Sequence, residues 1–189
     1  VIHQSNSMAI SSLLILAALC CFGAGVGIAG TNNLSSGHVI DYTFEDHTAE
    51  DSSQVLPNIK AALKENGLEN QVNLMGMKSD LAERYGDYAF YVLPSHREGM
   101  PLVLLEAKAN KLPIVSFDIM TGPREIIQDK VSGLLVPPED VKKLGEAMCQ
   151  LIENIELRVS MSEHSQDNLN EFSKDEILKK WTTLIEESV

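Results

Sequence analysis

The residues best placed to do chemistry lie in SHREGMPLVLLEA, residues 95–107. An apolar stretch, YAFYVL at 88–93, runs into this segment, which turns through Gly99 and starts a helix at Pro101, the kind of first-turn position where proline is tolerated best. The amides around Gly99, Met100, Leu102 and Val103 then stand at or near an uncapped helix N-terminus. Free N–H groups and the positive end of the helix dipole make that place an anion site. Gly99 lets a phosphate or a sugar approach the backbone closely. Glu98 and Glu106 flank the same start. Were both helical they would stand about 80° apart around the axis, too far to act as one carboxylate pair. The spacing instead puts Glu98 in the loop and Glu106 on the second helical turn. A carboxylate accepts two hydrogen bonds side by side, which suits the 2′ and 3′ hydroxyls of a ribose. A helix end for a diphosphate, one acid for a ribose and another for a sugar describe a nucleotide-sugar site. Two glutamates at this spacing and a Gly-x-Pro helix start also occur without a ligand, so the weight rests on where the surrounding elements place them.

Those elements alternate. Val55, Leu56, Ile59, Ala62 and Leu63 share one helical face, and Gly67 ends the helix. A short strand over 71–75 leads through Gly76 to a helix near 79–85. The nearly all-apolar strand 88–93 reads as one covered on both faces. After the helix from Pro101 come a strand at 113–117, a Thr-Gly-Pro turn with a short PREII helix, and a strand at 134–136. A helix follows with Val141, Leu144, Met148, Leu151 and Ile152 on its buried side. The last helix opens with Ser173 and Glu176, a capping box, and carries Ile177, Leu178, Trp181, Leu184 and Ile185 on one face. The pattern predicts an α/β fold with a parallel, Rossmann-like sheet and helices on both sides. In such sheets ligands bind at the carboxyl ends of the strands, so the loops after Met75, Leu93, Phe117 and Val136 are the ones that matter. His96 and Arg97 on the loop after Leu93, and Asp118 and Thr121 beyond the next strand, are secondary candidates. A solvated histidine and surface charges, Arg124 included, are their plainer readings.

Composition narrows the classes. The 189 residues include 44% hydrophobic and 22% charged, with 27 acids against 15 bases for a net charge of −12. That balance disfavours a nucleic-acid partner held by a basic surface. Three cysteines form no disulfide framework and no Cys/His group has metal-ligand spacing. The charge is uneven, since residues 1–59 contain no Lys or Arg. We therefore divide the chain into an atypical region, 1–53, and a nucleotide-sugar-binding domain, 54–189. The first region holds an uncharged run, 8–30, whose length is enough to cross or associate with a membrane, and which also reads as a targeting segment or as a buried strand with a glycine turn. Gly25, Gly27 and Gly30 spell a GxGxxG nucleotide loop, yet no amphipathic helix follows them to hold the phosphate. The polar, acidic stretch 31–53 reads as a linker.

The stretch from about 71 to 187, three-fifths of the chain, resembles the donor-binding half of retaining GT-B glycosyltransferases of family four, the glycosyl transferases group one. The likeness is carried by VNLMG at 72–76, YVLPSHREGMPLVLLEAKA at 91–109, LPIVSFD at 112–118, TGPREII at 121–127 and SGLLVPPED at 132–140. The resemblance implies transfer of a sugar from a UDP- or GDP-sugar to an acceptor hydroxyl with retention, in polysaccharide or glycolipid biosynthesis, in the cytoplasm. By position, Glu98 matches the glutamate that contacts the donor sugar near the reacting carbon and Glu106 the one that holds the ribose. The amides of Met100, Leu102 and Val103, with Gly99 and Pro101 shaping the turn, match those that face the diphosphate, and Gly76 and Met77 border the base. No metal or other cofactor is implied, because the helix end and cationic side chains stabilise the leaving nucleotide. A glycan or lipid-linked molecule would be the acceptor.

The chain also departs from that pattern. The family's acceptor-binding domain is not seen in the sequence, and neither is the Gly-Arg turn with its nearby Lys that opens the donor half. The expectation is a donor half truncated or divergent at its N-terminus, completed by an acceptor-domain partner or serving as a non-catalytic binding subunit. In the family the last helix, with Trp181, crosses back to the other domain, which predicts an exposed apolar face here.

Overall fold

A computed structural model describes residues 25–31, 40–44, 49–70, 72–75 and 81–188. Six strands form one sheet: β1 (Gly25–Thr31), β2 (Ile40–Phe44), β3 (Val72–Leu74), β4 (Tyr88–Leu93), β5 (Ile114–Phe117) and β6 (Gly133–Val136). Their spatial order is β3-β2-β1-β4-β5-β6. Helices α1 (Ala49–Glu65), α2 (Leu81–Arg84), α3 (Leu102–Ala109), α4 (Pro123–Ile126), α5 (Val141–Glu153), α6 (Ile155–Glu163) and α7 (Lys174–Glu187) complete it, with 3-10 turns at Tyr85–Asp87 and Leu169–Phe172.

The parallel sheet expected from the sequence is present in β4-β5-β6 and in β2-β3. One strand departs from it. β1 pairs antiparallel with both β2 and β4, so it runs against the other five. Chain length explains this: eight residues separate β1 from β2, whereas a parallel crossover needs a dozen or more. Each parallel pair, by contrast, is joined through a helix. The glycines of the GxGxxG string belong to β1, where Gly25 and Gly27 pair with Phe44 and Tyr42 of β2 rather than forming a phosphate loop. The stretch 31–53, expected as a linker, contains β2 and the start of α1. The boundary expected at 53/54 falls inside α1, and the two strands before it belong to the same sheet as the rest. No helix among the described residues is long and apolar enough to cross a membrane; of the uncharged run 8–30, residues 8–24 lie outside the described residues and the remainder is strand.

Strand alternation splits the core into two layers. Phe90, Val92, Val115, Phe117, Leu134 and Val136 face Ile59 and Leu63 of α1 and Leu144, Met148 and Leu151 of α5. Tyr91, Leu93 and Ile114 point the other way, to Leu104 and Ala107 of α3 and Ile126 of α4. Cys149 lies in the first layer, where burial raises its thiol pKa. Gly133 is required where β6 meets β5, because a Cβ there would stand 2.3 Å from the Ile114 carbonyl oxygen. Arg158 donates to the carbonyls of Leu151 and Ile152, closing the C-terminal end of α5. α7 buries none of its residues, and Trp181 is 59% exposed beside exposed Leu178, Leu184 and Ile185.

Candidate functional site

The site is built at the carboxyl edge of β4 and β5. β4 is nearly all buried and ends at Leu93; Pro94 and Ser95 continue inward before the chain surfaces at His96. Ser116 ties the two strand ends together by donating from its hydroxyl to the Leu93 carbonyl at 2.9 Å. The loop then runs through Arg97, Glu98, Gly99 and Met100 to Pro101, the N-cap of α3, whose φ of −74° and ψ of 93° are extended. No side chain caps this helix. The first intrahelical bond is Leu104 N–H to the Pro101 carbonyl, 3.0 Å. The amides of Leu102 and Val103 precede it, at the positive end of the helix, as the sequence predicted. Leu102 and Met100 are themselves exposed, at 63% and 47%. α3 has no acidic residue in its first turn.

A second turn braces this loop. Thr121 Oγ1 donates to the Glu98 carbonyl at 2.6 Å, and Gly122 lies against Pro101 with φ of +90°. A Cβ at residue 122 would approach Pro101 Cδ to 2.6 Å and the Gly99 carbonyl oxygen to 3.3 Å. Both the positive φ and the close approach require glycine here. Thr-Gly-Pro thus fixes the backbone on which the Gly99–Met100 amides hang, a role that the sequence did not reveal for Thr121, there only a secondary candidate.

The two glutamates are placed as expected, Glu98 in the loop, half-buried, and Glu106 on the exposed side of the second turn of α3. Tyr85 donates from its phenol to Glu106 Oε2 at 3.1 Å, a contact 21 residues apart in sequence. Asp118, a secondary candidate, pairs with Arg124 as a surface charge. Both its carboxylate oxygens accept from Arg124, Nε and Nη2 each at 2.9 Å, on the exposed surface. His96 is exposed, with its ring 5.9 Å from that of Phe117 and its Nδ1 4.0 Å from Glu139 Oε1. Glu139, on the loop after β6, was not foreseen as its neighbour. Arg97 is exposed on the loop. Gly76 and Met77, expected to border the base, lie outside the described residues.

Behind the site lies a charge that the sequence did not single out. Lys108, two residues after Glu106, is fully buried; its Nζ donates to Ser132 Oγ at 3.2 Å, and burial lowers its pKa to about 8 against a smaller opposing pull from Asp167. Ser132 Oγ in turn accepts from the Gln128 amide, so the lysine links α3 to the turn before β6. No group of three or more His, Cys, Asp or Glu able to hold a metal occurs among the described residues.

Known proteins resemble this chain in sequence and in fold. Residues 52–168 match the family model described as glycosyl transferases group 1. An exopolysaccharide phosphotransferase of Streptomyces coelicolor is 41% identical over 124 residues, which is 65% of this chain and 13% of that protein. The crystal structure of a mutant of Staphylococcus aureus TarM, in complex with UDP and α-GlcNAc-glycerol among its ligands, superposes with a TM-score of 0.64 at 30% identity, over 69% of this chain and 27% of that one. The C-terminal domain of a glycosyl transferase group 1 protein, LpcC of Francisella tularensis, superposes at a TM-score of 0.58 and 27% identity, over 67% of this chain and 65% of that one. The chain therefore spans a minor part of the first two and most of an isolated C-terminal domain. Matched over more than half its length, the chain belongs to the glycosyl transferases group 1 family, and its fold is the Rossmann-like C-terminal half of a GT-B member.

Proposed function

We propose that this chain is the donor-binding half of a retaining glycosyltransferase and takes a nucleoside-diphosphate sugar, a UDP-sugar in the first instance. The observation that carries the reading is the uncapped start of α3, braced by Thr121 and Gly122 and flanked by Glu98 and Glu106. The amides of Gly99, Met100, Leu102 and Val103 would hold the diphosphate, Glu106 the ribose diol, and Glu98 the donor sugar near its anomeric carbon, with Gly76 and Met77 beside the base. UDP is favoured because TarM, at 30% identity, was solved with it.

In the transfer, the acceptor oxygen bonds to the anomeric carbon on the face the leaving group departs from. The carbon–phosphate oxygen bond breaks, and the acceptor proton passes to a phosphate oxygen of the departing nucleotide. Charge gathers on that diphosphate, where fixed amide dipoles stabilise it without reorganising. Arg97 is the exposed cation on the same loop. A glycan or lipid-linked acceptor would enter beside Glu98 and would be held by a further domain.

A second reading, a nucleotide-sugar-binding unit without catalysis of its own, is favoured by one observation: residues 1–59 contain no Lys or Arg to help hold a pyrophosphate. Calorimetric titration with UDP, GDP and ADP, each repeated on Glu106→Ala, tests the shared core of both readings. Saturable binding of one nucleotide that the substitution removes supports it; no binding of any nucleotide refutes it. Sugar transfer on addition of an acceptor domain then separates the two.

A further inference from the structure

We propose that Tyr85 is a positioning residue for the nucleotide site, acting through Glu106 and setting the preference for ribose over deoxyribose. This rests on the reading of Glu106 as the ribose carboxylate. Tyr85 is the first residue of the 3-10 turn that feeds β4, and it is fully buried. Its ring packs in the layer beneath α3 with Leu104, Ala107, Ile114 and Ile126, and lies 5.9 Å from the ring of Tyr91 at 56°. A phenylalanine would fill this place equally well. A hydroxyl carried into an apolar layer is costly unless it is bonded, and this one is directed out of the layer onto Glu106 Oε2 at 3.1 Å.

Glu106 otherwise projects from an exposed helix face with three rotatable bonds. One oxygen held by a donor from a rigid core ring sets the carboxylate plane and leaves Oε1 and the second lone pair of Oε2 for two further donors. A diol needs both acceptor directions aligned at once, so fixing the plane favours two adjacent hydroxyls over one. Freezing one such side chain in advance is worth about three- to tenfold in affinity.

The test is a two-residue cycle on the full chain, with UDP and 2′-deoxy-UDP as probes. Tyr85→Phe keeps the ring and removes the donor. It is expected to weaken UDP about three- to tenfold, to weaken 2′-deoxy-UDP distinctly less, and to have no further effect once Glu106 is alanine. A loosened core would instead weaken both nucleotides equally, lower the melting temperature and add to Glu106→Ala; that result, or unchanged UDP affinity, overturns the proposal. If Glu106→Ala abolishes the preference for UDP while Tyr85→Phe leaves it intact, the positioning role fails and the ribose reading stands. If the unaltered chain binds no UDP, both fail. Should Tyr85→Phe not fold, Glu106→Gln and Glu106→Asp replace it. The amide oxygen of glutamine still reaches Tyr85 and keeps more of the UDP preference than aspartate, which is a methylene shorter; equal loss in the two overturns the proposal.

Discussion

Lys108→Met should remove one contribution to stability that grows with pH above neutrality, that of the buried lysine itself. Lys108 is fully buried, bonded to Ser132 Oγ, and its pKa is lowered from 10.5 to about 8, chiefly by desolvation, with Asp167 opposing. Below pH 8 the lysine is protonated in folded and unfolded chains alike, and the folded state bears the full penalty of the buried charge. Between 8 and 10.5 the unfolded chain holds a proton that the folded one has released, so stability climbs with pH; above 10.5 it levels off. At about 1.4 kcal/mol per pKa unit, the climb is about 3 kcal/mol. Methionine matches the length and apolar stem of lysine but has no charge. Set against the loss of the Ser132 bond, about 1 kcal/mol, the variant should gain about 2 kcal/mol at pH 7. Urea denaturation of both chains from pH 7 to 10.5 measures the difference. Curves that stay parallel across that range would refute a buried, desolvated Lys108. Asp167→Asn adds a directional check: without the opposing pull the Lys108 pKa falls further and the folded chain loses stability at pH 7.

Gly122→Ala combines a positive φ with a Cβ 2.6 Å from Pro101, so it should cost about 2–5 kcal/mol in denaturant and displace the Gly99–Pro101 loop, weakening UDP binding more than a remote substitution of equal destabilisation; a stable variant with unchanged UDP affinity contradicts the bracing role. Thr121→Val removes the 2.6 Å bond to the Glu98 carbonyl and should cost about 1 kcal/mol of stability, read as a melting temperature lower by about 2–4 °C, with a few-fold loss of UDP-sugar affinity by calorimetry as the Glu98 loop loosens; unchanged affinity would contradict the brace.

What could be read in the sequence was whatever local pattern fixes. YAFYVL gave β4 to the residue, since six consecutive strand-forming, mostly apolar residues between Asp87 and Pro94 leave little choice. Ser173 gave the start of α7, where its hydroxyl accepts from the Glu176 amide. Two other kinds of element were hidden. Gly25–Thr31 is rich in glycine and has poor strand propensity; it becomes a strand because Phe90, Tyr91 and Val92 offer it a partner, which is tertiary information. Ile40–Phe44 did carry a signal, two β-branched residues and two aromatics in five, masked by the acidic stretch around it. α6 was concealed differently. Its apolar residues Ile155, Leu157, Val159 and Met161 recur every second position, a strand-like period, and only Met161 is buried, so no helical face shows. At the site, Glu98, Glu106 and the helix start followed from one loop motif. Tyr85, Lys108 and the brace from Gly122 did not, because each acts across 21 residues or more and its role exists only once the sheet has brought α3, β5 and the turns together.

The most direct test of the account is where a nucleotide diphosphate lands. Amide NMR shifts of the full chain, followed during titration with UDP and separately with uridine, report each backbone N–H. The account predicts saturable shifts at Gly99, Met100, Leu102 and Val103 with UDP and not with uridine, because the diphosphate meets those amides. Saturable UDP binding that leaves these four amides unmoved, or no binding at all, would contradict it.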